Sequence, residues 1–227
     1  MVRISDNIQN LKEKINMSLQ KSIYTLEEIN LVAVTKNATL DQVKAAYDHG
    51  IINIGENKVQ KLVPQMNEME DYEINWHFIG HLQTNKVKYI IDRVNLVQSL
   101  DRYSLARELN KRAEWEDIDV NVLVQVNIAL EDSKYGLNPD KLFTFVEDVL
   151  KYYPRIKVKG LMTIAPFDDN PEVLRPYFYK MRQLFDKCKE RFNLVEFDTL
   201  SMGMSNDYQI ALEEGANMIR VGSALFK

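Results

Sequence analysis

Apolar positions near the start of the chain fall three and four residues apart. Ile4, Ile8, Leu11, Ile15 and Leu19 make one stripe, with charged and amide residues between them; this is the spacing of an amphipathic helix that buries one face against the rest of the molecule. Beyond it the pattern changes. Short apolar runs recur at 31–36, 52–57, 75–80, 94–100, 120–127, 158–166, 197–202 and 218–222, separated by longer polar-faced stretches. Runs that are almost continuously apolar predict strands covered on both faces, the condition of a parallel sheet. Helix signals occupy the gaps. TLDQVKAAYDHG opens on Thr39 as an N-cap and closes on Gly50, and PEVLRPYFYKMRQLFDKCKERF opens on Pro171, which suits a first helical position. Pro176, inside the second pattern, predicts a kink.

About eight strand–helix units in series predict an α/β fold, a single (β/α)8 TIM-type barrel spanning residues 1–227, with residues 1–28 as a helical extension packed on it. A doubly wound open sheet is the competitor, and a count of seven strands would favour it. In a barrel, function belongs at the carboxyl ends of the strands. Those ends carry Lys36, Asn57, Gly80 with His81, Ser99, Asn127, Thr163, Ser201 and Gly222, a set far more polar than the runs leading into it.

Composition narrows the function classes. Apolar residues at 45% and charged residues at 27% describe a globular protein, not a disordered or fibrous one. The formal charge of -4 comes without a dense Lys/Arg cluster, which excludes nucleic acid as the main partner. No apolar stretch near the N-terminus is continuous enough for a signal peptide or a membrane anchor. Cys188 is the only cysteine, so no intrachain disulfide forms and a reducing, cytoplasmic setting fits. Its helical surroundings lack a nearby histidine, the mark of a structural thiol. His49 reads as a helix C-terminal residue and His77, between Trp76 and Phe78, as a packed core residue. The three histidines supply no metal site.

Strand alternation puts Val32, Val34 and Lys36 on one face, and Met218, Arg220 and Gly222 on one face of the last strand. Ile219 and Val221 then pack outward against helices, so Arg220 points into the barrel. Strands one and eight are neighbours there, and Lys36 and Arg220 face one cavity. Two cations in one enclosed site call for a ligand with negative charge or an electron-rich ring. A lysine amine freed of its proton attacks an aldehyde to form a Schiff base. The bland alternative is a lysine that snorkels to solvent from a strand end.

The turns after strands seven and eight, TLSMGMSND and VGSALF, are rich in glycine and hydroxyl groups. In barrels these two loops commonly hold a phosphate through backbone N–H groups and nearby hydroxyls. Ser201, Gly203, Gly222 and Ser223 are the candidates, with Ser205 expected to N-cap the following helix. Tight-turn geometry alone also accounts for the glycines. An aldehyde at one end, a phosphate at the other and a ring between them describe pyridoxal 5′-phosphate.

The motifs AVTK, GENKVQ, WHFIGHLQTNK, SKYGL, KGLMTIAP and LSMGMSNDYQIALEEGANMIRVGSALF, in this order from about residue 30 to the C-terminus, closely resemble the pyridoxal-phosphate homeostasis protein family, which is similar to the N-terminal barrel of alanine racemases. The resemblance implies that Lys36 carries the cofactor and that Arg220 lies near its pyridine nitrogen. It implies phosphate contacts from Ser201, Gly203, Gly222 and Ser223, and places Asn57 and His81 along the pocket. Two stretches depart from the family pattern: NATLDQV stands where a proline-containing turn is commoner, and GENKVQK lacks the usual aromatic residue after GEN. These put loop shape and partner contacts in question, not the cofactor site.

An arginine beside the ring nitrogen disfavours its protonation and makes the cofactor a weak electron sink, which argues against transamination. Racemisation needs a second acid/base group on the far face of the substrate. In alanine racemases a tyrosine from an additional β-domain supplies it, and with the chain ending at Lys227 no such domain is expected here. His81 is the candidate general base inside the barrel, and turn hydrogen bonding or ring packing is its structural alternative. The expected function is therefore a carrier with little or no catalysis, one that holds pyridoxal phosphate and delivers it to pyridoxal-phosphate-dependent apo-enzymes. The alternative is a minimal pyridoxal-phosphate-dependent racemase or decarboxylase. A cofactor-free Schiff-base aldolase and a plain interaction scaffold are further rivals. A monomer or weak dimer is expected, and Glu56 and Asp207 are read as exposed carboxylates at helix starts.

Overall fold

The computed structural model describes residues 4–168 and 170–227; the first three residues of the N-terminal extension lie outside the described residues. Its strands are β1 (Asn30–Val34), β2 (Asn53–Glu56), β3 (Asn75–Phe78), β4 (Leu96–Leu100), β5 (Val120–Val126), β6 (Ile156–Thr163), β7 (Thr199–Ser201) and β8 (Met218–Val221). They close into a barrel in sequence order, each parallel to its neighbours, and β1 completes the ring against β8 with Val32 opposite Arg220. Eight strands rule out the doubly wound sheet. The apolar runs overshoot several strand ends because their last residues lift off the ladder to build the loops of the functional face. Lys36, for example, lies in a turn two residues beyond β1.

The helices are α1 (Ile4–Leu19), α2 (Leu40–Asp48), α3 (Val59–Glu68), α4 (Tyr103–Trp115), α5 (Leu142–Tyr152), α6 (Arg175–Phe192), α7 (Tyr208–Glu213) and α8 (Ser223–Phe226). Between β3 and β4 a 3-10 helix, Thr84–Tyr89, replaces the expected α-helix. Thr39 caps α2 by accepting from the Gln42 N–H, as its sequence predicts. Pro176 does not kink α6. A 3-10 turn, Pro171–Leu174, comes first, and α6 begins at Arg175, so Pro176 falls in the first helical turn, where no carbonyl waits for its missing N–H. His49 follows α2, its Nδ1 2.7 Å from the Ala45 carbonyl.

The stripe on α1 is buried and packs against α7, α8 and α2. From its outer edge the Asn7 amide donates to the Leu225 carbonyl at 2.8 Å, while the Gln42 amide of α2 donates to the Phe226 carbonyl at 3.2 Å. The short α8, which follows the final strand, is thus tied down at its C-terminal end by two other helices. Cys188 is buried on α6, and burial pushes its thiol up to about 12.

Val32, Leu96, Leu123, Met162 and Met218 fill the barrel interior. Buried among them is a chain of polar side chains. Gln98 donates to the His77 ring at 3.0 Å and accepts from the Ser201 hydroxyl at 2.7 Å. Ser201 accepts in turn from Arg220 at 2.6 Å, and the second arm of the guanidinium donates to the Thr163 carbonyl at 2.8 Å. Each link satisfies a group that would otherwise lose water without compensation. His77 is a core residue, and burial lowers its imidazole to about 4.

Candidate functional site

At the carboxyl ends of the strands the barrel opens into a cavity of about 750 Å³. Lys36, Asn57, His81, Arg220, Gly222 and Ser223 all line it. Lys36 enters from the turn after β1, which two contacts shape: Lys61 of α3 donates to the Lys36 carbonyl at 2.7 Å, and the Thr35 hydroxyl donates to Gln65 at 3.1 Å. The Lys36 side chain remains in contact with solvent, whereas Arg220 is buried. The two cations thus share the cavity at different depths, and only Arg220 is desolvated. Its burial pulls the guanidinium down to about 10, which leaves it charged at neutral pH.

Ser201 and Gly203 sit behind this wall. Ser201 is fully buried and its hydroxyl is taken up by Gln98 and Arg220. Gly203 has φ +92°, and a Cβ there would lie 2.8 Å from the Tyr208 Cα, so the turn after β7 requires glycine. Gly222 packs edge-on against β1, where a Cβ would meet the Val34 carbonyl at 3.1 Å.

Ser205 does not cap α7. Asp207 occupies that position, and the Ser205 hydroxyl instead accepts from the Gly222 N–H at 3.2 Å and the Ala224 N–H at 3.3 Å. It stitches the loop after β7 to the turn after β8 and lines the cavity beside Ser223. The sequence signal for it was the serine itself, which the local helix pattern assigned to the wrong partner.

Glu56 and Asp207 are buried, not exposed. Glu56 receives the Asn57 N–H at 2.6 Å and the Lys58 N–H at 3.1 Å through one oxygen, fixing the turn that presents Asn57. Asp207 accepts from the Met204 N–H; burial pushes its carboxyl above the usual range, against the lowering pull of that bond and of the Arg220 charge. Sequence reasoning passed over Gln125, and took Tyr135 only as part of the SKYGL motif without assigning it to the site. Gln125 ends the inward face of β5 and donates to the Tyr135 carbonyl at 3.1 Å, and both side chains line the cavity.

The cavity therefore offers an accessible primary amine, a buried guanidinium and a rim of hydroxyl groups, Ser205 and Ser223, contributed by the last two loops. A family described as alanine racemase, N-terminal domain, matches residues 3–227. A pyridoxal phosphate homeostasis protein of Aquifex aeolicus is 43% identical over 196 residues, covering 86% of this chain and 85% of the relative. The chain belongs to the pyridoxal phosphate homeostasis proteins, a family built on the alanine racemase N-terminal domain. A solved structure, PipY of Synechococcus elongatus with PLP bound, superimposes with a TM-score of 0.86 at 27% identity, over 99% of this chain and 100% of PipY. Alanine racemase of Clostridium difficile shares the fold, with a TM-score of 0.77 at 14% identity, over 97% of this chain and 56% of the racemase. Within the family, the exposed lysine, buried arginine and paired loops of this chain stand where the barrel fold places functional groups.

Proposed function

We propose that the protein binds pyridoxal 5′-phosphate in this cavity and acts in intracellular pyridoxal phosphate homeostasis, holding the cofactor on Lys36 as a Schiff base. The observation that carries this reading is the convergence of Lys36, Arg220 and the Gly222–Ser223 turn on one cavity of about 750 Å³, a size suited to a small cofactor. The donor set fits the group: Lys36 supplies an amine for the aldehyde, and Ser223 and the turn stitched by Ser205 supply neutral donors for a phosphate. Asn57 and His81 border the ring. Ser201 and Gly203 support from behind, Ser201 by holding Arg220 and Gly203 by setting the turn.

When bound, the cofactor supplies a reactive carbonyl and an electron sink. Arg220 limits the second of these, because a guanidinium that stays charged at neutral pH disfavours a proton on a nearby ring nitrogen. That favours a carrier with little turnover over a racemase or decarboxylase. We place the protein in the reducing cytoplasm, as a monomer or weak dimer that hands its cofactor to pyridoxal-phosphate-dependent apo-enzymes. Titrating the purified protein with pyridoxal phosphate and following near-visible absorbance tests the reading: wild type saturates at one equivalent with a shifted band, and Lys36→Ala shows no such band. Robust racemisation or carbon dioxide release from a panel of amino acids, abolished by Lys36→Ala, would establish the enzyme instead.

A further inference from the structure

We propose that His81, oriented by Asp101, carries the protons when the cofactor is loaded onto Lys36 and released from it, setting the rate of exchange in both directions. The inference rests on the reading of Lys36 above. His81 follows β3 and lines the cavity that Lys36 lines, with Asn57 of the intervening β2 loop between them. It is the imidazole on the wall, since His77 lies within the barrel and His49 follows α2.

Its setting is built. Nδ1 is shielded from solvent, has no hydrogen-bond partner among the described residues and lies 3.6 Å from a carboxylate oxygen of Asp101, just after β4. That distance closes to a hydrogen bond with a small ring movement, and a carboxylate on this side favours the proton on Nδ1. The lone pair then sits on Nε2, away from Asp101. Arg102 braces the pair, donating to the other Asp101 oxygen and to the Leu82 carbonyl next to His81. Tyr135, from the loop after β5, stacks on the imidazole with ring centroids 4.0 Å apart and planes within 21°. Other charged groups nearby are Lys58, Lys61 and Lys86 in a recess that His81 also borders, and Lys36, Lys134, Asp168, Asp207, Arg220 and Lys227 around the cavity. Asp101 is the carboxylate in contact with the ring.

An imidazole so held is a two-way proton carrier. As Lys36 Nζ bonds to the aldehyde carbon, it sheds a proton to Nε2 through a cavity water. The imidazolium returns that proton to the former carbonyl oxygen. A second proton then reaches that oxygen from Nε2, itself reprotonated by solvent water. The C–O bond breaks, water departs, the nitrogen lone pair completes the C=N bond, and the proton left on that nitrogen balances the one taken from solvent. Release retraces the same steps with one water consumed. Removing a group that lowers the barrier in both directions slows loading and release alike, whereas losing a packing contact speeds release, and that separates this role from packing.

The test uses the full chain and pyridoxal phosphate, following the near-visible band after mixing and after dilution. In His81→Gln, loading and release should both slow about tenfold or more, a parallel slowing that loss of a ring contact, which speeds release, does not produce. Asp101→Asn should slow both directions less, and imidazole added to His81→Ala should restore the rates. Unchanged rates in His81→Gln overturn the inference, as does a change in one direction only, with the midpoint shifting to match. Lack of rescue by imidazole also counts against it. A wild-type protein that shows no band overturns the Lys36 reading itself, whereas a normal band with His81-independent rates sinks this inference alone.

Discussion

Arg220 donates to the Ser201 hydroxyl at 2.6 Å inside the barrel, and the Ser201 hydroxyl donates in turn to the Gln98 amide oxygen at 2.7 Å. A cation is thereby held at a fixed depth below the cavity by neutral partners. Ser201→Ala leaves a guanidinium arm and a Gln98 oxygen without a partner in a buried site, and each such loss costs about 1–3 kcal/mol. Urea unfolding should show a loss of stability of about 2–6 kcal/mol for the two together, with an unchanged m-value.

His77, at the other end of this chain of bonds, gives a pH signature. Burial lowers its imidazole from 6.5 to about 4, so the unfolded chain binds a proton that the folded one refuses. Stability is therefore complete above pH 6.5 and falls as pH drops toward 4, by on the order of 3 kcal/mol across the window. His77→Gln cannot titrate, and its stability should be flatter between these pH values. Chemical unfolding of both proteins at pH 7, 5.5 and 4.5 measures the difference.

Much of this arrangement was legible in the residues. Near-continuous apolar runs predicted eight covered strands, and alternation around Ile219 and Val221 turned Arg220 inward, as found. What was lost is what alternation cannot encode. His77 and Gln98 both lie in strand runs, and only the register of β3 beside β4 brings their side chains together. Ser205 suited a helix N-cap locally, but a loop 17 residues further along the chain claims its hydroxyl. Pro176 looked disruptive until the start of α6 placed it in the first turn. The pairing of His81 with Asp101 spans two loops and left no trace in spacing.

The stitch made by Ser205 should matter to phosphate more than to the ring. Ser205→Ala removes the acceptor for the Gly222 and Ala224 N–H groups and loosens the turn, costing about 1 kcal/mol, or roughly fivefold in affinity. Binding of pyridoxal without its phosphate should change much less. Equal losses for both ligands would place Ser205 outside the phosphate end.

α1 has a structural task in this account. Leu11 is 3% exposed on its packed face, and Leu11→Ala should cost about 2–5 kcal/mol. Because Asn7 of the same helix holds the C-terminal end of α8, Asn7→Ala should weaken cofactor binding with a much smaller loss of stability. Parallel unfolding and titration experiments on the two variants separate these effects.

The proposed function turns on a covalent bond between Lys36 and the aldehyde of pyridoxal phosphate. Borohydride reduction of the loaded protein, followed by proteolysis and mass spectrometry, addresses it directly. The account predicts a single phosphopyridoxyl adduct on the peptide containing Lys36, and none on that peptide when the cofactor is omitted. An adduct mapping to another lysine, or a bound cofactor that borohydride fails to fix, would contradict it.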